Sequence, residues 1–256
     1  MKKPLILVSN DDGITASGIR ALIEVVRDIG DVVVVAPDSP QSGMGHAISL
    51  NSDLRCDQIT IDDGAQIEYA CSGTPVDCVK LALSAILKRK PDLIVSGINH
   101  GSNSSINVIY SGTMSVAVEA SVAGIPSIGF SLLDYSHVAD FTASKIVVKK
   151  IVEKVLKEGF QKGICLNVNI PKCPYSQING YKICRQANAR WIEDFDVRKD
   201  SKGKNYYSLS GNFQNFDNGK DTDEWALSNK YVSIVPVKYD ITSYDSIPEL
   251  KLWNLW

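Results

Sequence analysis

Leu5-Ile6-Leu7-Val8-Ser9-Asn10-Asp11-Asp12-Gly13 sets four apolar residues directly before a polar, glycine-ended turn that carries two adjacent carboxylates. Four apolar residues in a row suit a strand buried on both faces, as in a parallel sheet covered by helices. Gly13 lets the chain turn, and residues 18–29 have the pattern of a helix returning it to the sheet. Asp11 and Asp12 then fall in the strand-to-helix loop at the carboxyl edge of the sheet, where such folds bind ligands. Successive side chains of a strand point to opposite faces, so the two carboxylates converge only where the strand has ended. Converging carboxylates repel, and a hard dication such as Mg²⁺ or Mn²⁺ relieves that repulsion. An Asp-Asp-Gly turn without a ligand uses the same residues, so the choice rests on what else reaches that edge.

The rhythm begun by this stretch continues. Interior strand candidates at residues 5–8, 32–36, 93–96, 127–131 and 165–170 alternate with helical patterns at 18–29, 75–88, 113–123 and 139–157. The alternation predicts an α/β fold of Rossmann-like, doubly wound type with a mostly parallel sheet. Residues 47–71 break it with polar-apolar alternation around an Asp63-Gly64 turn signal, which predicts a small antiparallel insertion. After Pro171 helical periodicity fades, and short strand candidates appear at 181–185, 206–209 and 231–237. We therefore divide the chain into a catalytic core, 1–171, and a β-rich C-terminal appendage, 172–256. The appendage has little core of its own and is expected to pack on the main domain or on a second subunit. The charged stretch 194–204 and the Asn- and Gly-rich stretch 212–220 read as solvated loops.

Composition narrows the function classes. The 256 residues carry 27 Lys and Arg against 29 Asp and Glu, which speaks against holding a nucleic acid polymer through a basic surface. No run reaches the roughly twenty apolar residues of a membrane span, and no signal-like segment precedes the first strand, so a cytoplasmic location with no membrane partner is expected. Six cysteines without a Cys-x-x-Cys pair read as reduced structural thiols. Three histidines, His46, His100 and His137, lack ligand spacing for a zinc site, which leaves oxygen ligands. The tryptophans, Trp191, Trp225, Trp253 and Trp256, all lie in the C-terminal third and read as packing residues.

Four polar loops follow strand candidates and can meet at one edge of the sheet. The first carries Asn10, Asp11 and Asp12; the second, residues 37–45, carries Gln41, Ser42 and Gly43. The third, residues 96–103, carries Asn99 and Asn103, whose amide oxygens are neutral ligands and whose N–H groups are phosphate donors. The fourth is Tyr110-Ser111-Gly112-Thr113 at a helix entry, a place suited equally to a cap and to a phosphate. Competing motifs fail on spacing. Gly43-Met44-Gly45-His46-Ala47-Ile48 lacks the third glycine of a dinucleotide fingerprint, and Gly97-Ile98-Asn99-His100-Gly101 puts Asn where a hydrolase elbow needs its nucleophile.

Together, Ser9-Asn10-Asp11-Asp12-Gly13, Gln41-Ser42-Gly43, Gly73-Thr74-Pro75-Val76-Asp77-Cys78-Val79, the stretch from Ser96 to Asn103 and Tyr110-Ser111-Gly112-Thr113 resemble the SurE family, the survival-protein nucleotidases. Thr222-Asp223 and Tyr231-Val232-Ser233-Ile234-Val235-Pro236 extend the resemblance faintly. The resemblance implies a divalent-metal-dependent phosphatase acting on nucleoside monophosphates, a 5'-nucleotidase whose range could include 3'-nucleotides and short polyphosphate. It implies one Mg²⁺ or Mn²⁺ per subunit held by Asp11, Asp12, Ser42 and Asn99, with Asp11 and Asp12 as the catalytic residues. Phosphate contacts are implied at Asn103, Ser111, Gly112 and Thr113, with Asn10 and Gly43 beside them. A homodimer or homotetramer built through the C-terminal region is implied as well. Many family members have Arg where this chain has Gln41.

Phosphate monoesters hydrolyse extremely slowly unaided, so a site for them must stabilise much developing charge. Attack by a metal-assisted water is the expected route, with His46 and His100 as candidate proton donors. An aspartyl-phosphate route ranks lower, because dehalogenase-type phosphatases space their two aspartates by one residue and Asp11 and Asp12 are adjacent. A nucleotide sensor without turnover and a metal-dependent glycosyltransferase are the alternatives of other classes.

Overall fold

The computed structural model describes residues 3–136, 138–253 and 255, so His137 and Trp256 lie outside the described residues. The strands are β1 (Leu5–Ser9), β2 (Asp31–Pro37), β3 (Cys56–Ile59), β4 (Ile67–Cys71), β5 (Leu93–His100), β6 (Ser127–Leu132), β7 (Ile164–Ile170), β8 (Tyr181–Ile183), β9 (Ala189–Lys199), β10 (Asn205–Asn215) and β11 (Val232–Lys238). The helices are α1 (Ser17–Val26), α2 (Pro75–Leu81), α3 (Gly112–Val122), α4 (Thr142–Glu158), α5 (Asp223–Ser228) and α6 (Ile247–Leu250). Nine strands form one sheet in the order β3-β4-β2-β1-β5-β6-β7-β11-β8. From β4 to β7 every neighbouring pair is parallel, whereas β3 and β11 run antiparallel to β4 and β7. This is the α/β sheet that the alternation predicts.

The apolar run of β1 is continuous because both of its faces are covered. Ile6 and Val8 pack with Ile19, Leu22 and Ile23 of α1 and Val147, Val148 and Val152 of α4. Leu5 and Leu7 join Val79 of α2 and Val116 and Ala120 of α3 on the opposite face. Burying one such aliphatic side chain contributes roughly 1.5–3 kcal/mol, so these layers hold the strand ends in fixed relative positions. Helix α2 starts with a reciprocal cap: Asp77 N–H donates to Thr74 Oγ1 (3.1 Å) and Thr74 N–H to the Asp77 carboxylate (2.9 Å). It stops at Leu81, shorter than the predicted 75–88, and a wide π turn over Ala82–Ile86 follows, closed by Leu87 N–H on Ala82 O at 2.9 Å. Ser84 Oγ donates to the Lys80 carbonyl there, a side-chain bond of the kind that distorts a helix.

Two expectations are corrected. The stretches 194–204 and 212–220 are not simply loops, since β9 and β10 pair over eleven residues as a separate antiparallel ribbon that takes in most of the first stretch and the start of the second. Both faces of that ribbon are largely exposed, so the apolar alternation by which a half-buried strand is read is missing. Next, Cys56 and Cys71 are joined as a disulfide, with Cα atoms 4.1 Å apart, so only Cys78, Cys165, Cys173 and Cys184 are thiols. The two face each other in the antiparallel β3–β4 register, a proximity that their 15-residue separation conceals. The antiparallel insertion expected over 47–71 is the β3–β4 pair, built into the main sheet with β4 parallel to β2 and β3 as the edge strand. Beyond Pro171, β11 and β8 also join the main sheet. Among the described residues no helix is long and apolar enough to cross a membrane.

Candidate metal and phosphate site

The four predicted loops are tied together at the carboxyl edge of the sheet. Gln41 N–H donates to the Asp11 carbonyl at 2.7 Å, joining the second loop to the first. His100 Nδ1 lies 3.2 Å from Asp12 Oδ2, joining the third. Thr113 Oγ1 donates to Asp11 Oδ1 at 2.5 Å, joining the fourth, and Gly45 N–H reaches the Tyr110 carbonyl at 3.2 Å. Two glycines make the approach feasible. A Cβ on Gly18 would lie 1.9 Å from the Ile98 carbonyl oxygen, and one on Gly112 would lie 2.5 Å from Asp11 Cβ. The entry of α3 therefore rests against the Asp11 side chain.

Asp11 is only 4% exposed, and burial pushes its carboxyl up to about 6; the Thr113 hydroxyl opposes the rise and the Asp12 charge adds to it. Asp12 is more open, and with the proton on Nδ1 His100 donates to it while His100 Nε2 contacts Ser17 Oγ at 3.2 Å. Asn10 is buried, and its Nδ2 donates to the Gly13 carbonyl at 2.9 Å while its Oδ1 has no partner among the described residues. Asn99 Nδ2 donates to the Gly101 carbonyl at 2.9 Å, which leaves its oxygen for a ligand. Ser42 and Gly43 lie exposed in the second loop, one and two residues beyond Gln41.

Two predicted phosphate contacts have other partners. Thr113 is fully buried with its hydroxyl on Asp11, so it holds a carboxylate in place. Asn103 is buried as well: its backbone N–H donates to Asn169 Oδ1 (2.8 Å) and its Nδ2 to Ser131 Oγ (2.7 Å), while Asn167 donates to its carbonyl (2.7 Å). It locks the third loop to β6 and β7. Ser111 caps α3 by accepting from Met114 N–H at 3.0 Å.

Several supporting residues escape a reading of motifs. The buried pair Asn167 and Asn169 interrupts an apolar strand, and polar residues inside such a run are the signal that could have found them. Asp223 accepts from Ser105 N–H (2.7 Å) and Ala187 N–H (2.9 Å), and Glu224 accepts from the Ser104 hydroxyl, so α5 braces the same loop. Nothing in the local sequence announces these long-range partners. His46 points away from the carboxylates to Glu119, at 2.9 Å, which Lys80 also meets at 2.6 Å; both hold the Glu119 carboxyl below its usual range.

Among the described residues no three His, Cys, Asp or Glu side chains gather as a ligand set. A cation here would rest on two carboxylates completed by neutral oxygens. The residues fit one: a desolvated carboxylate beside a second, an unpartnered amide oxygen on Asn10 and an all-oxygen donor set suit a hard dication.

Comparison with known proteins agrees with the motifs. The family model described as survival protein SurE matches residues 6–193. The protein named 5'-nucleotidase SurE of Christiangramia forsetii is 62% identical over 255 residues, covering 99% of this chain and 98% of its own length. That of Flavobacterium psychrophilum is also 62% identical over 255 residues, covering 100% and 99%. The crystal structure of the SurE protein from Aquifex aeolicus superposes with a TM-score of 0.84 at 39% identity over 97% of this chain and 98% of that one. With four of the motifs meeting on one rim of a matching fold, and with relatives aligned over nearly the whole chain, this chain belongs to the SurE family.

Proposed function

We propose that this protein is a phosphomonoesterase that hydrolyses nucleoside monophosphates, a 5'-nucleotidase like the relatives' name, using one Mg²⁺ or Mn²⁺ per subunit. The observation that carries the reading is Asp11, a buried carboxylate held by Thr113 with the first turn of α3 packed against it. A cation's carboxylate and a helix N-terminus suited to a phosphate are thereby one contact apart.

Asp11, Asp12, Ser42 and Asn99 would hold the cation. When bound, it supplies positive charge against a phosphate oxygen and lowers the pKa of a water. The chain's own groups do the rest. The N–H groups of Ser111 and Gly112 receive the remaining phosphate oxygens without reorganising, because the Ser111 cap and the Thr113 bond to Asp11 already fix that turn. Asn10 and Gly43 border the same opening. Asp11 or Asp12 accepts the proton of the attacking water. His100 fixes Asp12 by occupying its Oδ2, which leaves Oδ1 without a partner among the described residues. Activity on 3'-nucleotides and short polyphosphate, and a cytoplasmic location, belong to the same proposal.

The C-terminal segment 172–256 is proposed to join subunits into a homodimer or homotetramer. The support is the β9–β10 ribbon, which carries Ile192, Phe195, Val197, Tyr207 and Leu209 exposed.

The test is phosphate release from a panel of nucleoside monophosphates with and without Mn²⁺ or Mg²⁺, alongside Asp11→Ala. Metal-stimulated release that vanishes in the variant is expected. Tight nucleotide binding with no release would replace the enzyme by a sensor, and glycoside formation on an added acceptor would replace it by a transferase.

A further inference from the structure

The second loop carries Ser42 on an exposed turn. Met44 N–H donates to the Gln41 carbonyl at 3.4 Å, and Gly43 has the positive φ, +76°, that glycine takes at the third position of a type II turn. A Cβ on Gly43 would meet nothing within 4 Å, and Ser42, Gly43 and Met44 are all exposed, so the corner has no packing to hold it. The place of Ser42 is therefore set by the two ends of the turn. One end is tied to the Asp11 carbonyl by Gln41 N–H at 2.7 Å. The other runs through Gly45, whose N–H meets the Tyr110 carbonyl at 3.2 Å, to His46.

His46 is held by a carboxylate that gathers three elements. Glu119, buried on α3, meets His46 Nε2 at 2.9 Å on one oxygen and accepts from Lys80 Nζ of α2 at 2.6 Å on the other. Hydrogen bonds to an ionised group are the stronger ones. Beside it the Ala47 carbonyl accepts from Thr74 Oγ1 at 2.7 Å and Ser49 N–H donates to Asp77 at 3.0 Å, so the base of the loop stands on the start of α2. The Glu119 contact adds a side-chain tie to α3, the helix whose first turn rests against Asp11. A ligand on a loop already in place binds without the cost of ordering that loop.

We propose that His46 is a positioning residue for Ser42: by clasping Glu119 it holds the turn toward α3, so that the Ser42 hydroxyl meets the same cation as Asp11. The assignment rests on the metal reading of the rim and adds to it a residue outside the ligand set that governs metal affinity.

The test is calorimetric binding of Mn²⁺ to the metal-stripped full chain, without substrate, for wild type, His46→Ala and His46→Gln. Gln keeps an N–H donor of similar reach, and the His46 side chain is 40% exposed, so both variants are expected to fold. Removing a residue that orients a metal ligand weakens metal binding by about 10–100-fold. His46→Ala should therefore bind Mn²⁺ about tenfold more weakly or worse, with its Tm in EDTA close to wild type, and His46→Gln should recover most of the loss. Unchanged Mn²⁺ affinity in His46→Ala, or the same loss in His46→Gln, would overturn the assignment. If the wild type binds no Mn²⁺, the metal reading itself falls. Exchange of the Gly45 amide hydrogen then decides the clasp: about tenfold faster exchange in His46→Ala supports it, and an unchanged rate refutes it.

Discussion

Replacing Asp11 by Asn should make the metal-free protein more stable while destroying its response to metal. The Asp11 carboxyl goes from 3.8, its ordinary value, to about 6 on folding, because burial disfavours the charge. A raised acid pKa means that the folded state binds the extra proton, so this group's penalty grows as pH rises from about 4 and is complete above about 6. At about 1.4 kcal/mol per pKa unit the penalty is ~3 kcal/mol at pH 7.5 and falls to about half that at pH 5. Asn keeps the shape and still accepts from the Thr113 hydroxyl, so the substitution removes the charge with little repacking. For a chain of this size ~3 kcal/mol corresponds to roughly 6–12 °C in Tm. The assay is thermal unfolding in EDTA at pH 7.5 and pH 5, repeated with Mn²⁺. Asp11→Asn should melt higher than wild type in EDTA at pH 7.5, by a margin that shrinks at pH 5. Mn²⁺ should raise the wild-type Tm and leave the variant's unchanged. A variant that melts lower in EDTA, or a difference indifferent to pH, would refute the idea that Asp11 is an uncompensated buried charge waiting for a cation.

Thr113→Val keeps the volume but removes the donor to Asp11, and a hydrogen bond to a charged group contributes about 1.5–3 kcal/mol. The Mn²⁺ concentration for half-maximal phosphate release should rise at least tenfold, whereas Thr113→Ser should stay near wild type; equal behaviour of the two would contradict the assigned role. Gly112→Ala places a Cβ 2.5 Å from Asp11 Cβ, and a displacement of about 1 Å at such a site can reduce turnover about 100-fold. That variant should keep a cooperative melt and lose activity, so full activity would show that the α3 entry does not bear on Asp11. For the Cys56–Cys71 link, intact mass of the protein isolated without reductant should rise by two hydrogens on reduction. Cys56→Ser with Cys71→Ser should lower stability by about 3 kcal/mol, the entropic scale for a loop of 15 residues. No mass change would mean that the pair is not bonded in solution.

Much of the rim is legible from short patterns because its determinants are local. The run 5–8 announces β1 since a strand covered by α1 and α4 on one side and α2 and α3 on the other must be apolar at every position. Ser111 and Gly112 announce a helix entry by their capping chemistry and small size. What stays hidden depends on partners far along the chain. Whether Thr113 faces a phosphate or Asp11 is decided by how closely α3 docks on β1, a tertiary distance. The bonds of the Asn103 backbone N–H to Asn169 and of its Nδ2 to Ser131 likewise depend on residues far along the chain that its own motif does not announce. The β9–β10 ribbon is hidden for another reason. A strand exposed on both faces has no periodic apolar signal, and its charges read as loop.

Crystals soaked in Mn²⁺ and measured at the manganese absorption edge should show one anomalous peak per subunit at ligand distance from oxygens of Asp11 and Asp12, with Ser42 and Asn99 completing the set and the first turn of α3 adjacent. A peak elsewhere, or none with Asp11 and Asp12 apart from any ion, would contradict that arrangement.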